Sequence, residues 1–159
     1  MRFSETHGVV YVLKPADYAA GGTGESINTE LYSHVTYLIQ CATLTDNAAA
    51  GADLTVKSGA TDASQITAET FHYRLAGAVQ AAADSDVYAD EAEATTLELL
   101  KATYDSKLLI VEVDVSEITV DQPWLTLALN AHGTAANLSV VGILGCPRYL
   151  GQHMPTALS

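Results

Sequence analysis

Between Lys107 and Asp114 the chain reads KLLIVEVD, and this alternation limits its folding more than any other feature. In an extended strand successive side chains point to opposite faces. Leu109, Val111, Val113 and Val115 therefore share one face, and Leu108, Ile110, Glu112 and Asp114 share the other. A helix would scatter both sets around its axis, whereas a strand buries the first set and leaves the acids in water. The same period recurs in HVTYLIQCATL, where Val35, Tyr37, Ile39 and Cys41 oppose His34, Thr36, Leu38 and Gln40. In FHYRLAG, Phe71, Tyr73 and Leu75 oppose His72 and Arg74.

Further strands are predicted in DLTVKSG, QPWLTLALNA and NLSVVGILGC, separated by turn-rich connections such as TDNAAAGAD, VDQP and HGTAAN. The stretch AVQAAADSDVYADEAEATTLELLKATYD mixes helix formers with an alternating TTLELL, and it is expected to be a loop followed by a strand. About seven or eight strands in one domain fit an all-β, two-sheet sandwich, jelly-roll-like in character. A chain of 159 residues is long enough to bury such a core without disulfides or metal. The first residues behave differently: HGVVYVLK precedes Pro15 and the Gly21, Gly22, Gly24 cluster. These predict an extended N-terminal arm over 1–30 ahead of a sandwich domain over 31–159, the alternative being an ordinary first strand with a long loop.

Charge narrows the partners. The net charge is −12, and residues 84 to 121 hold eleven of the nineteen acids against Lys101 and Lys107. A field of this sign repels phosphate backbones, so direct nucleic-acid binding is not expected. No apolar run is long enough to span a bilayer and MRFSETHG lacks a signal-peptide pattern, so no membrane attachment is expected, with synthesis in the cytoplasm. Cys41 and Cys146 lie in apolar segments and are expected to be free thiols.

Each candidate site lacks part of its chemistry. Side chains two apart on a strand face have stems roughly 6.5 to 7 Å apart, a spacing that does not exclude Glu112 and Asp114 as an acid/base pair. No desolvating cleft, nucleophile or oxyanion donor is marked beside them, so they are expected to form a solvated strand face. The stretch DSDVYADEAE lacks the glycine and closing glutamate of a calcium loop, which leaves only weak calcium at subunit contacts or a solubilising loop, and Asp84–Glu93 is expected to face solvent.

His7, His34, His72, His132 and His153 show no zinc spacing, and His34 and His72 are expected to bond to a neighbour within their strands. GGTGES has no following lysine and is expected to be a flexible hinge, not a phosphate loop. Ser4, Ser26 and Ser139 lack a nucleophile-elbow setting. Trp124 falls on the strand face opposite Leu125, Leu127 and Leu129, either at an inter-subunit contact or under a loop, or else it is a core residue at the sandwich edge. No cofactor, no metal site and no enzymatic activity are expected.

The segments SHVTYLIQCATL, FHYRLAG, LLIVEVDVSEITVDQPWLTLAL and NLSVVGILGCPRYLG cover most of residues 33 to 151. In their order, the acid-bearing strand, its VDxxW-like turn and the closing Pro-Arg-Tyr, the chain resembles the head decoration (cement) and minor capsid proteins of tailed bacteriophages. The resemblance implies a β-rich virion protein on the outer head surface that binds the major capsid protein as a homo-oligomer, trimer favoured, and fastens capsomers together. It supplies no catalytic residues.

The arm is then expected to touch the shell or a neighbouring subunit. Arg2, Phe3, His7, Tyr11, Lys14, Tyr18 and Trp124 are the candidate partner-binding residues. Deleting residues 2 to 25 is expected to abolish binding and leave the β domain folded. Two alternatives stay open: a tail or head-to-tail connector subunit, and a carbohydrate-binding sandwich with Tyr88, Tyr104 and Trp124 as its platform.

Overall fold

The computed structural model describes residues 3–46, 51–78, 86–147 and 158. A single helical turn, α1 (Phe3–Thr6), leads into β1 (Gly8–Asp17), β2 (Gly22–Thr23), β3 (Ile27–Asn28), β4 (Tyr32–Leu44), β5 (Ala52–Gly59) and β6 (Thr67–Ala68). The chain continues through β7 (Phe71–Ala78), β8 (Ala92–Ala94), β9 (Thr96–Leu99), α2 (Lys101–Tyr104), β10 (Lys107–Asp114), β11 (Trp124–Leu129) and β12 (Ala136–Pro147). The larger sheet has the order β1-β12-β4-β10-β7-β8. The smaller runs β2-β11-β5-β6, with β3 also on β11 and β9 also on β5. Every pairing among the described residues is antiparallel.

The two sheets form an all-β sandwich because each strand presents one apolar parity inward. From the larger sheet come Val35, Tyr37 and Ile39 of β4, Leu109, Val111 and Val113 of β10, and Val140 and Leu144 of β12. From the smaller come Leu54 and Val56 of β5, Leu97 and Leu99 of β9, and Leu125, Leu127 and Leu129 of β11. Each such side chain contributes about 1.5–3 kcal/mol by leaving water, so the period-two pattern itself fixes the strand registers.

The first thirty residues do not form a separate arm over the part described. Val10, Val12 and Leu13 are core residues, and β1 runs the length of β12 from Gly8 opposite Leu144 to Asp17 opposite Asn137. The chain then crosses to the smaller sheet, where Gly22–Thr23 and Ile27–Asn28 add to β11. The glycine cluster is a packing device there, not a hinge. Gly21 takes φ +82, and a Cβ on Gly24 would lie 2.5 Å from Val12 Cγ1. A deletion of residues 2 to 25 would therefore remove core, contrary to the expectation that the domain would survive it.

Between Asp86 and Asp105 the chain is more regular than a loop followed by a strand. Glu93 lies on β8 at the edge of the larger sheet, and after β9 the helix formers make one turn, α2, whose Lys101 N–H donates to Asp46 Oδ1 at 2.6 Å. Val87 and Asp90 are exposed as expected for Asp84–Glu93, although Asp84 lies outside the described residues. Residues 47–50 of the TDNAAAGAD turn also lie outside them. No helix among the described residues is long and apolar enough to cross a membrane.

Candidate functional site

The outer face of the larger sheet carries the arrangement with the most to offer another molecule. One lateral row runs Tyr11, Val141, Leu38, Ile110 and Arg74 across five strands. The next row runs Val9, Ile143, Thr36, Glu112, His72 and Glu93 across all six. The face is thus apolar over β1 and β12 and charged over β10, β7 and β8. Val9 and Tyr11 are each 58% exposed, an unusual exposure for large apolar side chains standing beside one another. The face continues at its other end into a groove of about 800 Å³ lined by Pro15, Ala16, Gln40, Lys107, Leu108 and Ser139.

The charged half is organised by two histidines. His34 Nδ1 lies 2.8 Å from Asp114 Oδ1, and its Nε2 lies 3.3 Å from Glu112 Oε1. Burial of the ring disfavours its charge, but the hydrogen bonds to Asp114 and Glu112 and their negative charge outweigh it, so the His34 pKa is raised above 6.5. His72 Nδ1 is 3.3 Å from Glu91 Oε1 and 3.7 Å from Glu93 Oε1, and its Nε2 is 3.4 Å from Glu117 Oε2. Arg74 meets Glu91 at 3.2 Å. Among the described residues no group of three or more His, Cys, Asp or Glu side chains is arranged to hold a metal ion. The cluster offers charge and hydrogen-bond acceptors at a surface.

The structure separates the expected partner-binding residues. Tyr11 stands on the outer face and Lys14 is exposed further along the same edge strand. Tyr18 packs against the core and donates its hydroxyl to the Lys14 carbonyl, at 2.8 Å. Phe3 is 54% exposed and stacks on His7 with ring centroids 4.4 Å apart. Arg2 lies outside the described residues. Trp124 is half-buried on the outer side of the smaller sheet, opposite Gly59 and Asn28, so it does not join Tyr11. Tyr104 is buried in the core, which removes it from any platform with Tyr88 and Trp124.

Glu112 and Asp114 face outward as their parity requires, yet each has a histidine partner. Sequence gives a strand's faces but not its lateral neighbour, and the His34 contacts come from β4 lying beside β10. Cys41 is buried, and burial followed by the charge of Asp105 pushes its thiol pKa up to about 12, so the thiolate needed for nucleophilic chemistry is suppressed. The Cys146 side chain lies outside the described residues.

A second polar feature, missed in the sequence, is buried Glu69. It accepts from the Ser58 hydroxyl and, at 3.0 Å, from the Thr119 N–H. Ser58 Oγ also lies 2.8 Å from the Gln122 side-chain amide. One hydroxyl proton cannot serve two acceptors, so Gln122 turns its NH2 toward Ser58 when Ser58 donates to Glu69. The network pins the connection between β10 and β11.

An antiparallel sandwich with one broad, half-apolar and half-acidic face is the class of protein that results. Its fold is similar to the crystal structure of the SPBc2 prophage-derived protein YomS, with a TM-score of 0.55 and 9% sequence identity over 87% of this chain and 91% of that one. No protein-family model and no curated protein matches the chain.

Proposed function

We propose that this chain is a virion structural protein, a cement or decoration subunit that binds the major capsid protein on the outer head surface and reinforces contacts between capsomers. The observation that carries the reading is the outer face of the larger sheet, where Tyr11, Val141, Leu38 and Ile110 form a continuous apolar row beside a cluster of carboxylates. Such a surface supplies adhesion: apolar area over one half and orienting charge over the other. The fold likeness to a prophage-derived protein agrees with a phage setting. Several copies, a trimer in our reading, would let weak single contacts add up over a repeating shell.

The test is sedimentation of undecorated heads with the purified chain. A Val9→Asp/Tyr11→Asp variant alters two exposed edge-strand positions, so it should keep its circular dichroism and lose head binding. Val120→Asp, at a position 83% exposed outside the sheets, serves as the control and should bind normally. Wild-type occupancy by the double variant would remove this face from consideration. Electron cryomicroscopy placing the chain in a tail or at the head-to-tail joint would replace the cement assignment with a connector.

A further inference from the structure

His34 on β4 lies directly opposite Asp114 of β10 and diagonal to Glu112, which is itself opposite Thr36. Both ring nitrogens end on a carboxylate oxygen, Nδ1 at 2.8 Å and Nε2 at 3.3 Å. An ionised carboxylate can only accept a hydrogen bond, and a neutral imidazole has a single N–H to give. Only the imidazolium makes both contacts at once. Loss of its proton turns one nitrogen lone pair toward a carboxylate, and that contact becomes repulsive.

We propose that His34 is a proton-operated clamp on the adhesive face. When charged it holds Glu112 and Asp114 to itself, and when neutral it releases carboxylate charge to a partner bearing lysine or arginine. The inference rests on the adhesion reading above and gives that surface a regulator. It also specifies the partner: a second copy of a chain with net charge −12 would bring like charge to this acidic half, whereas a basic surface would be complementary.

The surroundings of the ring support a switch in that direction. From β10 it faces Glu112 and Asp114, and from β12 its register partner is Gly145, which brings no charge. Beyond Gly145 lies His7, whose Cδ2 would be 3.9 Å from a Cβ placed on that glycine. On the other side of Glu112 is His72 of β7, with Glu93 of β8, Glu91 and Glu117 around it and Arg74 tied to Glu91. Five carboxylates thus stand against one arginine, and the proton on His34 offsets part of that excess.

The clamp can be tested on the free, purified chain. Ring signals of His34 and side-chain carboxyl signals of Glu112 and Asp114 would be followed by NMR from about pH 5 to about pH 9, a range that brackets histidine titration. Tetralysine would be the cationic probe, its affinity measured at about pH 6 and about pH 8. The expected result is a His34 midpoint above 6.5 that falls in a Glu112→Gln/Asp114→Asn variant, with both carboxyl signals moving at that midpoint. Tetralysine should bind roughly two- to five-fold more tightly at the higher pH, the effect of one or two exposed charge pairs. That gain should vanish in His34→Asn.

A midpoint at or below 6.5, carboxyl signals that ignore it, or equal tetralysine affinity in the wild type at both pH values would overturn the clamp. Because none of these measurements involves a capsid, failure of the clamp leaves head sedimentation to judge the adhesion reading. Failure of head binding likewise leaves the titration intact.

Discussion

Tyr11 of β1 lies opposite Val141 of β12, so the first and last of the described strands are paired and the two together form one margin of the larger sheet. Val10 and Val12, on either side of Tyr11, point into the core while Tyr11 points out. This pairing makes the N-terminal residues part of the sandwich and also builds its exposed apolar surface.

The pairing predicts that the N-terminal strand bears stability. Val12 is 3% exposed and packs with the core, so Val12→Ala should cost about 1–3 kcal/mol through lost burial and the cavity left behind. Urea unfolding would measure it, and a change near zero would mean that β1 contributes as little as a detached arm.

How much of this was legible follows from what periodicity encodes. The alternation in β4, β10 and β11 gave the all-β class and the core parity, and it put Glu112 and Asp114 on an outward face, while for Trp124 it left an outward face and a core position at the sandwich edge both open. HGVVYVLK alternates too, with Val10 and Val12 inward, but the following proline and glycines looked like a hinge because nothing local reveals that Gly24 meets Val12. Lateral neighbours are equally silent in one dimension. His34 and Asp114 are 80 residues apart and meet only because β4 and β10 are adjacent.

Stability should carry the sign of the His34 shift. Its pKa is raised in the folded state, so the clamp's stabilisation is fully present below about pH 6.5 and is lost as pH rises through the folded value. The difference in Tm between wild type and His34→Asn should therefore be larger at about pH 6 than at about pH 8. A difference that grows with pH would reverse the assignment.

Glu69 is 6% exposed, and its carboxylate serves Ser58 and the Thr119 N–H. Glu69→Ala would leave the Thr119 N–H unanswered in a site too enclosed for easy hydration, while the Ser58 hydroxyl turns to Gln122 Oε1, at a cost of about 1–3 kcal/mol. The accompanying loosening should appear in hydrogen exchange as faster amides at Thr119 and Gln122, and unchanged rates there would show that the loop is held by other means.

Tyr37 presents the opposite case. It is fully buried, and its hydroxyl has no hydrogen-bond partner among the described residues. Burial alone drives its pKa upward. Removing an unsatisfied polar atom relieves a desolvation penalty, so Tyr37→Phe should be neutral or stabilise by up to about 1 kcal/mol. Thermal unfolding would decide, and a loss above that size would imply a partner for the hydroxyl.

Gly24 separates a hinge from a packed crossing by the sign of one substitution. In a flexible hinge, replacing glycine by alanine narrows the unfolded ensemble and stabilises by about 0.4–1 kcal/mol. Here the added methyl would stand 2.5 Å from Val12 Cγ1 and 3.1 Å from the Leu127 carbonyl oxygen. The carbonyl belongs to a hydrogen bond already made, since it accepts from the Gly24 N–H at 2.8 Å, and β11 is held on its other side by β5. With little room to retreat, overpacking should win and Gly24→Ala should destabilise by about 1–3 kcal/mol. Denaturant midpoints measure this directly: a variant more stable than wild type would mean that the crossing from β1 to the smaller sheet is loose, and that residues 22–28 behave as the arm the glycines suggested.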